Sequence, residues 1–519
     1  MNKKKTQVII RLLLTIAILI VVNFISIRLF GRLDLTDQGV YTLSDASRTL
    51  VKNFDDRVTV KAYFTEDLPA PYNNNRRAVL DILNEYKAYA GGNVTYEFIN
   101  PQGEKGEQEA QQQGIAPVQV QVVNEDKLEV KRGYLGLIML YEDKKEVIPV
   151  IQNLSTLEYD ISSALKRLTT RTKKKIGLSA GHQEGEMAAM RQAYQMLSQQ
   201  YDISSVDLTK DQPVLADIAA LLVISPQAQF SDSAKFLIDQ YLMKGGKVAF
   251  LLNRVNASLQ NQQGRPPMGY PVELGLDEML QHYGVRINPD LIRDAQCASI
   301  SVMQQQGFIR FQSQVPFPYI PIASNFNKDN MIVKDLQNVM FYFVSSVDTA
   351  AASAKGLKAQ VMIRSSKQSG RQTGFFMIDP FQKYTPADLA ENGIPMAATV
   401  EGSFKSFFEG KQPAPAVTTS PQTRVIVVGD GDFMKDEYLG SQANLTFFIN
   451  IVDYLADDAG LITIRSKNVT TPPLEQLSDG TKKMLKYGNL IGPPMLIVAY
   501  GIFRWRRRVT LKKMLENAG

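Results

Sequence analysis

Residues 219–252, AALLVISPQAQFSDSAKFLIDQYLMKGGKVAFLL, indicate the fold of the central part of the chain. The apolar run at 219–224 is typical of a strand covered on both faces of a sheet. Residues 231–243 have the polar start and apolar spacing of a capped helix, which a pair of glycines ends, and residues 247–252 form a second buried strand. This strand, helix and strand predict a doubly wound α/β layer.

The same alternation continues on both sides of this stretch. Upstream, a strand at 176–180 precedes a helical pattern, and downstream a buried strand at 424–428 precedes the apolar helix at 444–456. We therefore predict an α/β domain over residues 171–465, with a strand-rich insertion around 299–347. The polar, Gly/Pro-rich stretch at 256–271 is expected to be a surface loop, and the stretch at 411–422 a linker or an extended loop.

A smaller α/β domain is predicted at residues 31–170. Strands at 58–64 and 94–99 flank a helical pattern at 76–90, and such a β-α-β unit favours parallel strands. Ser44 is placed to cap the first helix. Ser155 and Glu158 have the spacing of a capping box for the last helix of this domain, and basic residues from position 171 mark its end.

Residues 12–30, LLLTIAILIVVNFISIRLF, are predicted to span a membrane. Arg28 is their only charge, and nineteen residues are close to the roughly 20 that a helix needs to cross the hydrocarbon. The alternative is a cleaved signal peptide, because basic residues precede the apolar stretch. The absence of a site with small residues for cleavage favours the membrane helix.

A second membrane helix is predicted at residues 485–503, after a juxtamembrane linker at 466–484. Its apolar core, LIGPPMLIVAYGIF, has only fourteen residues, which also fits a buried helix. Tyr487 and Trp505 lie on either side as interfacial aromatics, and six Lys or Arg follow at 504–513, as in a cytoplasmic flank. These flanks favour a membrane span.

The distribution of charge predicts the topology. The tails at 1–11 and 504–519 carry a net charge of +9 against +6 for the whole chain, which leaves −3 for the remainder. The positive-inside rule places both tails in the cytoplasm. We expect a two-pass protein of the bacterial inner membrane with a mildly acidic periplasmic ectodomain and no nucleic-acid partner.

Several motifs of known chemistry do not occur in the sequence. It lacks the Walker phosphate loop, the G-x-S-x-G elbow, the H-E-x-x-H pair and the C-x-x-C pair. A lone cysteine, Cys297, precludes an internal disulfide, and we interpret it as a structural thiol. With only two histidines, catalytic and metal sites have few candidates, and we predict no catalytic residue, metal or cofactor.

The first candidate ligand loop is GHQEGE at 181–186, directly after the strand at 176–180. Ligands of open α/β sheets bind at such carboxyl ends of strands. His182, Glu184 and Glu186 could supply imidazole and carboxylate ligands to a metal. The alternative, which we favour, is a structural loop that leads into the next helix.

The second candidate loop is GDGD at 429–432, which also follows a buried strand. Asp430 and Asp432 could bind a cation or a sugar hydroxyl. Asp-Gly pairs are also common in turns, and a structural turn is the interpretation that we favour.

Several stretches share their order and spacing with a known family. They are the juxtamembrane LDLTDQGVYTLSDASRTL, the strand and loop IGLSAGHQEGE, the run from YDISSVDL to KVAFLL, and RVIVVGDGDFMKDEYL with NLTFFINIVDYLADD. Together they resemble the GldG-like family, auxiliary membrane subunits of ABC transporters associated with gliding motility in Bacteroidetes. The resemblance covers nearly the whole chain. It implies a glutamine-amidotransferase-like α/β fold, and this chain has no cysteine at the position of that fold's nucleophile.

The resemblance also implies partners, namely a separate multi-span permease and a cytoplasmic ATPase. We therefore expect a non-catalytic auxiliary subunit whose ectodomain binds, gates or couples substrate at the bilayer, with a link to gliding motility or envelope export. The first alternative is a membrane-tethered hydrolase or carbohydrate-modifying enzyme that uses Asp430, Asp432 and His182. The second is an envelope scaffold, which a defined bound ligand would argue against.

Overall fold

The computed structural model describes residues 14–15, 17–18, 21, 42–66, 68–69, 72–124, 127–151, 153–185, 187–210, 217–259, 267–306, 308–439, 441–457, 459–466 and 479–516. The chain divides into two compact units, Met1–Thr470 and Thr471–Gly519. Within the first unit, we call residues 42–170 the N-terminal lobe and residues 175–457 the central lobe.

The N-terminal lobe is a five-stranded sheet with helices packed on it. Its strands are β1 (Val58–Phe64), β2 (Val94–Ile99), β3 (Pro117–Asn124), β4 (Lys127–Tyr141) and β5 (Lys144–Ile148), and its helices are α1 (Asp45–Lys52), α2 (Asn75–Tyr89), α3 (Gly103–Gln112) and α4 (Leu157–Thr169). The strand order is β2-β1-β4-β3, with β5 on β4. β1 and β2 are parallel, which confirms the prediction for this β-α-β unit.

A hydrophobic core joins one face of this sheet to α2 and α4. Val58, Val60 and Ala62 alternate along β1 toward the helices, and they pack in one cluster with Leu83 of α2 and Ile161 of α4. Because all five side chains are almost fully buried, the apolar alternation that predicted the strand also explains which sheet face α2 and α4 cover.

One predicted helix cap is confirmed and the other is wrong. Ser44 caps α1, and its hydroxyl accepts a hydrogen bond from the backbone N–H of Ser47. The capping box of Ser155 with Glu158 does not form, because α4 begins after Thr156, which makes no side-chain cap. The Glu158 carboxylate instead accepts hydrogen bonds of 2.7 Å from the Ser44 N–H and the Ser47 hydroxyl, and so joins α4 to α1.

The central lobe contains the remaining strands of the chain's described part. They are β6 (Lys175–Ala180), β7 (Asp202–Asp207), β8 (Ile218–Ile224), β9 (Val248–Leu251), β10 (Val255–Asn256), β11 (Met268–Pro271), β12 (Arg286–Ile287), β13 (Asp290–Asp294), β14 (Cys297–Gln306), β15 (Ile309–Ala323), β16 (Asn325–Phe326), β17 (Val339–Met340), β18 (Val347–Asp348), β19 (Lys358–Arg364), β20 (Ser369–Thr373), β21 (Phe376–Met377), β22 (Pro395–Lys405) and β23 (Thr419–Val428). Its helices are α5 (Arg191–Gln200), α6 (Asp232–Met243), α7 (Asp277–His282), α8 (Ala351–Ala354) and α9 (Gln442–Leu455), and α10 (Ala459–Ser466) follows it.

The main sheet has eight strands in the order β16-β19-β22-β23-β9-β8-β6-β7. The five strands from β23 to β7 are parallel, whereas β16, β19 and β22 add antiparallel strands at one side. Taken in chain order, the parallel strands lie 2-1-3-4-5, an order whose switch point falls between β6 and β8. The crevice at that point is where such sheets bind ligands.

Helices cover both faces of the main sheet. On one face, Leu197 of α5 and Ile451 of α9 belong to the same core as Ala220 of β8. On the opposite face, Ile238 of α6 packs with Leu221 of β8. The apolar run of β8 is therefore buried on both sides, which is why it shows no alternation in the sequence.

Two predicted irregular stretches contain strands. The prediction for residues 411–422 is partly wrong, because β23 begins at Thr419, which pairs with Lys405 of β22. The ends of the predicted loop at 256–271 belong to β10 and β11, which pair with each other. In both cases cross-strand pairing stabilises strands that polar and Pro-rich residues do not predict.

The second unit contains α11 (Asp479–Glu516), a helix of 38 residues. The predicted span at 485–503 lies inside it. Of the predicted span at 12–30, only Leu14, Thr15, Ala17, Ile18 and Val21 are described, all as helix. Across the described positions, no helix combines the length and the apolarity that a membrane crossing requires.

Candidate functional site

A cleft of about 210 Å³ lies at the carboxyl ends of the parallel strands. We call it the switch-point cleft, because most of its lining residues follow β6, β8, β9 and β23 in the chain. Its lining residues are Gln183, Gly185, Ser225, Gln227, Asn253, Val255, Asn256, Ala257, Tyr342, Phe343, Asp432, Lys435 and Tyr438. The topology thus brings Gln183 and Gly185 of the first candidate loop and Asp432 of the second to one site.

Asp432 is the predicted site residue that lines this cleft directly. Its Oδ1 accepts a 2.6 Å hydrogen bond from the hydroxyl of Ser225 and lies 2.8 Å from the ammonium group of Lys435. The carboxylate is therefore neutralised by a neighbouring cation and oriented by a hydroxyl, so this wall of the cleft carries no unbalanced charge.

Asp430 does not line the cleft but is fully buried beneath it. Its carboxylate accepts hydrogen bonds from the backbone N–H groups of Tyr342, Asp432 and Phe433 at 2.7, 2.6 and 3.2 Å. Burial, with the charge of Asp432 as the second cause, raises the pKa of Asp430 to about 7. Asp430 thus connects the loop after β23 to the strand-rich segment.

The two glycines of the GDGD loop allow close approach of the chain to its neighbours. A Cβ atom on Gly431 would lie 2.4 Å from Ser225 Oγ and 2.5 Å from the Leu251 carbonyl oxygen. A Cβ atom on Gly429 would lie 1.9 Å from the carbonyl oxygen of Ser345. Only glycine leaves room for these contacts, so packing around the cleft explains why glycine occupies the first and third positions of the GDGD motif.

Backbone strain is concentrated around the cleft. Gln183, Ser225 and Phe343 all line it and have φ values of +56°, +46° and +54°. Residues other than glycine rarely adopt this left-handed conformation, which costs of order 1 kcal/mol each. Strain of this kind persists where the surrounding structure enforces it, and it is often found at functional sites.

His182 and Glu184 lie behind the cleft and not in its walls. The His182 ring is buried and stacked on Phe230, with ring centroids 3.8 Å apart, and burial lowers the pKa of the imidazole. Its Nδ1 is 3.6 Å from Glu184 Oε1, and neither atom makes a hydrogen bond within the described part of the chain. Glu186 lies outside the described residues.

No three His, Cys, Asp or Glu side chains converge into a metal-binding group among the positions that the structure describes. Glu184 Oε2 accepts a 2.7 Å hydrogen bond from the backbone N–H of His182, so this carboxylate is used to hold the loop. Cys297 lies half-buried at the start of β14, remote in the chain from these loops, and burial raises the pKa of its thiol. A raised pKa disfavours the reactive thiolate.

Four amide side chains give the cleft its hydrogen-bonding character. Asn253 accepts a 2.7 Å hydrogen bond from the Gly431 N–H, and its amide group donates to the Ser225 hydroxyl at 3.3 Å. Gln183, Gln227 and Asn256 provide the other amides. Since an amide both donates and accepts hydrogen bonds, these walls match a ligand whose own groups do the same, such as hydroxyls or amides.

An aromatic pair closes one side of the cleft. The rings of Tyr342 and Tyr438 are stacked with centroids 4.3 Å apart. Burial raises the pKa of both phenols, and the neighbouring Glu437 adds to the effect on Tyr438. Both tyrosines are therefore neutral at physiological pH and offer an apolar face beside the amides.

Sequence reasoning missed most of the cleft residues, although a signal existed for two of them. Ser225 and Asn253 are polar residues at the ends of the apolar runs of β8 and β9, so the strand-end rule that identified Asp432 could have identified them. Tyr342 and Tyr438 have no such signal, because only tertiary packing brings their loops to this edge of the sheet.

Comparison with known proteins gives a family match for the central lobe. A family model described as "ABC-type uncharacterized transport system" matches residues 173–456. A model described as a domain of unknown function, DUF7088, matches residues 37–140. An uncharacterized protein of Borreliella burgdorferi is 24% identical over 525 residues, covering 98% of this chain and 99% of its own length.

Similarity to solved structures is weak. The mmIFT52 N-terminal domain has a TM-score of 0.34 and 13% identity, covering 54% of this chain and 96% of its own. The exo-beta-1,4-mannosidase Op5Man5 from Opitutaceae bacterium strain TAV5 has a TM-score of 0.23 and 8% identity, covering 79% of this chain and 52% of its own. At these TM-scores neither similarity carries an argument about this chain.

Proposed function

This chain belongs to the family described as ABC-type uncharacterized transport systems, and from that membership we propose that it is a non-catalytic auxiliary subunit of an ABC transporter. It works beside a separate permease and a separate ATPase. The sequence supports the assignment of ATP hydrolysis to a separate subunit, because this chain contains no Walker phosphate loop. The transporter role comes from the family, and the role of this subunit within it is the new proposal.

The switch-point cleft is the observation that carries the proposal. It lies inside the region that matches the transport family, and its Asp432 and Lys435 charges are paired with each other. Burying a ligand's net charge against such paired groups would cost free energy without a compensating partner. We therefore infer that the cleft holds a small uncharged ligand that carries hydroxyl or amide groups.

The geometry gives no support to a hydrolase at this site. Asp430 is enclosed and uses both carboxylate oxygens as acceptors for backbone N–H groups, and His182 does not line the cleft. A general base must reach its proton within hydrogen-bond distance. Asp430, Asp432 and His182 therefore do not form a constellation that could act together on one substrate.

The proposal includes a position in the membrane. Helical spans at 12–30 and 485–503 would place the tails in the cytoplasm and the two lobes in the periplasm of a bacterial inner membrane, as the basic tails favour. A specific GldG-like role in gliding motility or envelope export is the finer part of the proposal, and it rests on the sequence resemblance.

Reconstitution tests the function. Permease and ATPase from the same organism, placed in proteoliposomes, should hydrolyse ATP at a different rate when this chain is added. The variant Asp432→Asn should lose that effect if the cleft couples ligand to transport, whereas Asp329→Asn, at an exposed position that does not line the cleft, should retain it. An unchanged ATPase rate on addition of the native chain would contradict the proposal.

A further inference from the structure

A second cavity, which we call the basic cavity, lies where the chain passes from the N-terminal lobe to the central lobe. It has a volume of about 380 Å³, and none of its eleven lining residues is acidic. Six of them are cationic, namely Lys144, Lys166, Arg167, Arg171, Lys173 and Lys174. The remaining walls are formed by Ser163, Thr170, Thr172, Gln200 and Tyr201.

Several separate elements converge on this cavity. Lys144 begins β5, Ser163 and Lys166 lie on α4, and Gln200 is the last residue of α5. Arg167 also lies on α4, Tyr201 follows α5, and the connector at 170–174 supplies the other five lining residues. A run of surface lysines on one helix would be a solvated face, whereas here the tertiary fold gathers cations of the N-terminal lobe and of the connector around one space, beside Gln200 and Tyr201 of the central lobe.

Hydrogen bonds position three of the ammonium groups without neutralising them. Lys144 donates to the Thr170 carbonyl at 2.9 Å, Lys173 donates to the Ser198 carbonyl at 2.8 Å, and Lys174 donates to the Ala456 carbonyl. An ammonium group has three donors, so each keeps two for another acceptor. The carbonyl partners fix the geometry and leave the positive charge in place.

Carboxylates near the cavity are already engaged. Arg167 pairs with Glu146, with Nη2 2.9 Å from Oε2. Asp457, which lies near Lys174, forms ion pairs with Lys247 and with Arg424. In addition, the buried hydroxyl of Ser163 has no hydrogen-bond partner among the described residues.

From these observations we propose that the basic cavity binds a ligand carrying a phosphate group. Neighbouring cations repel one another, and a multivalent anion between them removes that repulsion. Lys and Arg are the side chains that bind phosphate in proteins, through charge-assisted hydrogen bonds. The inference is independent of the function proposed for the switch-point cleft, whose charges are paired and whose ligand is uncharged.

Binding at this position also restrains the connector between the lobes. Arg171, Lys173 and Lys174 are exposed and stand in the connector, where trypsin cleaves after Lys or Arg. An anion held jointly by these residues and by Lys144 of the N-terminal lobe would reduce the opening that cleavage needs. A phosphate ligand is therefore expected to protect this connector from trypsin.

The test compares two charge-matched double variants of the full chain in a zwitterionic detergent. Arg171→Gln with Lys173→Gln removes two cavity cations, and Lys328→Gln with Lys367→Gln removes two exposed cations that do not line the cavity. Calorimetric titration with sodium pyrophosphate should show binding that is at least about fivefold weaker in the first variant and unchanged in the second. Trypsin can still cleave after Lys174 and Lys175 in the first variant, and pyrophosphate should no longer protect these two sites there, whereas it should still protect the connector of the second variant.

A second arm identifies the source of the phosphate. Flotation with phosphatidylcholine vesicles, with and without phosphatidylglycerol, tests binding to a lipid headgroup. Both variants retain the basic tail at 504–519, so a difference in flotation between them comes from the substituted cations and not from the tail. Cavity-dependent binding in the pyrophosphate arm supports a free phosphate compound, and cavity-dependent flotation supports a headgroup. If the two variants behave alike in both arms, the proposal is overturned. Should the double variant unfold, Arg171→Gln alone is used, because Arg171 makes no ion pair with another described residue.

Discussion

The hydroxyl of Ser225 donates a 2.6 Å hydrogen bond to Oδ1 of Asp432, which lies 207 residues further along the chain. The two residues follow β8 and β23, which lie on either side of β9 in the parallel sheet. This bond therefore links the first half of the central lobe to its last strand, directly in the wall of the switch-point cleft.

Two substitutions at Ser225 separate its hydrogen bond from its backbone strain. Ser225→Ala removes a hydrogen bond to a charged group and should lower the free energy of unfolding by about 2 kcal/mol. Ser225→Gly also removes the bond but relieves the positive φ of 46°, so it should be about 1 kcal/mol more stable than the alanine variant. Chemical denaturation of both variants measures the difference, and an alanine variant at least as stable as the glycine variant would argue against strain at this position.

The close approach at Gly431 predicts a strong effect of a single methyl group. Gly431→Ala would place Cβ 2.5 Å from the Leu251 carbonyl oxygen, a backbone atom that cannot move without disturbing β9, so we expect a loss of about 3 kcal/mol or more. Gly185→Ala is the control in the same cleft, because its Cβ would meet nothing closer than 3.8 Å. It should change stability by less than about 1 kcal/mol, and equal losses in the two variants would refute the packing explanation.

Asp430 predicts a pH dependence of stability. Its pKa is raised to about 7 in the folded protein, first by burial and then by Asp432, whereas an unfolded aspartate has a pKa of about 4. Between these two pH values the folded state holds more protons, so its stability declines as the pH rises and levels off above about pH 7. Asp430→Asn lacks this titration.

Chemical denaturation of the native chain and Asp430→Asn checks this prediction across that pH range. The stability of the native chain relative to the variant should fall by about 1 to 2 kcal/mol between about pH 5 and pH 7. The variant should be less stable at the acidic end, because its amide group cannot accept from all three backbone N–H groups. A relative stability that is constant or rises with pH would show that Asp430 does not titrate in this way.

The single cysteine offers a direct test of the proposed topology. In a Cys297→Ser background, Ser233→Cys introduces a thiol at an exposed position of the central lobe, and Thr510→Cys introduces one in the basic tail. A maleimide that cannot cross membranes should label the first variant in intact spheroplasts and the second only after lysis. Labelling of Thr510→Cys in intact spheroplasts would contradict a cytoplasmic tail.

Local sequence patterns predicted several strands and helices of both lobes, because these elements are buried in regular ways. The strands at 58–64 and 94–99 have the bounds that their apolar patterns predicted, and the helix at 231–243 differs by a single residue at its start. The failures follow from long-range contacts. Glu158 is held by residues of α1 rather than by a capping box, and no local pattern encodes that partner.

In the candidate site, too, local sequence patterns predicted some features, whereas others depend on long-range contacts. The strand-end rule identified Asp432 as a candidate, and Asp432 lines the cleft because the carboxyl ends of parallel strands meet at one edge. The rule does not distinguish residues that line the cleft from residues buried beneath it, such as Asp430 and His182. That distinction depends on the positions of Phe230 and Tyr342, which come from other segments of the chain.

The most direct test of the auxiliary-subunit proposal is purification of the tagged full chain from its native membranes in a mild detergent, with the associated proteins identified by mass spectrometry. We expect a Walker-containing ATPase and a multi-span permease in stoichiometric amounts, in preparations of the native chain and of Gly185→Ala alike. Recovery of this chain alone, from membranes in which both transporter proteins are present, would contradict its assignment as an auxiliary subunit of an ABC transporter.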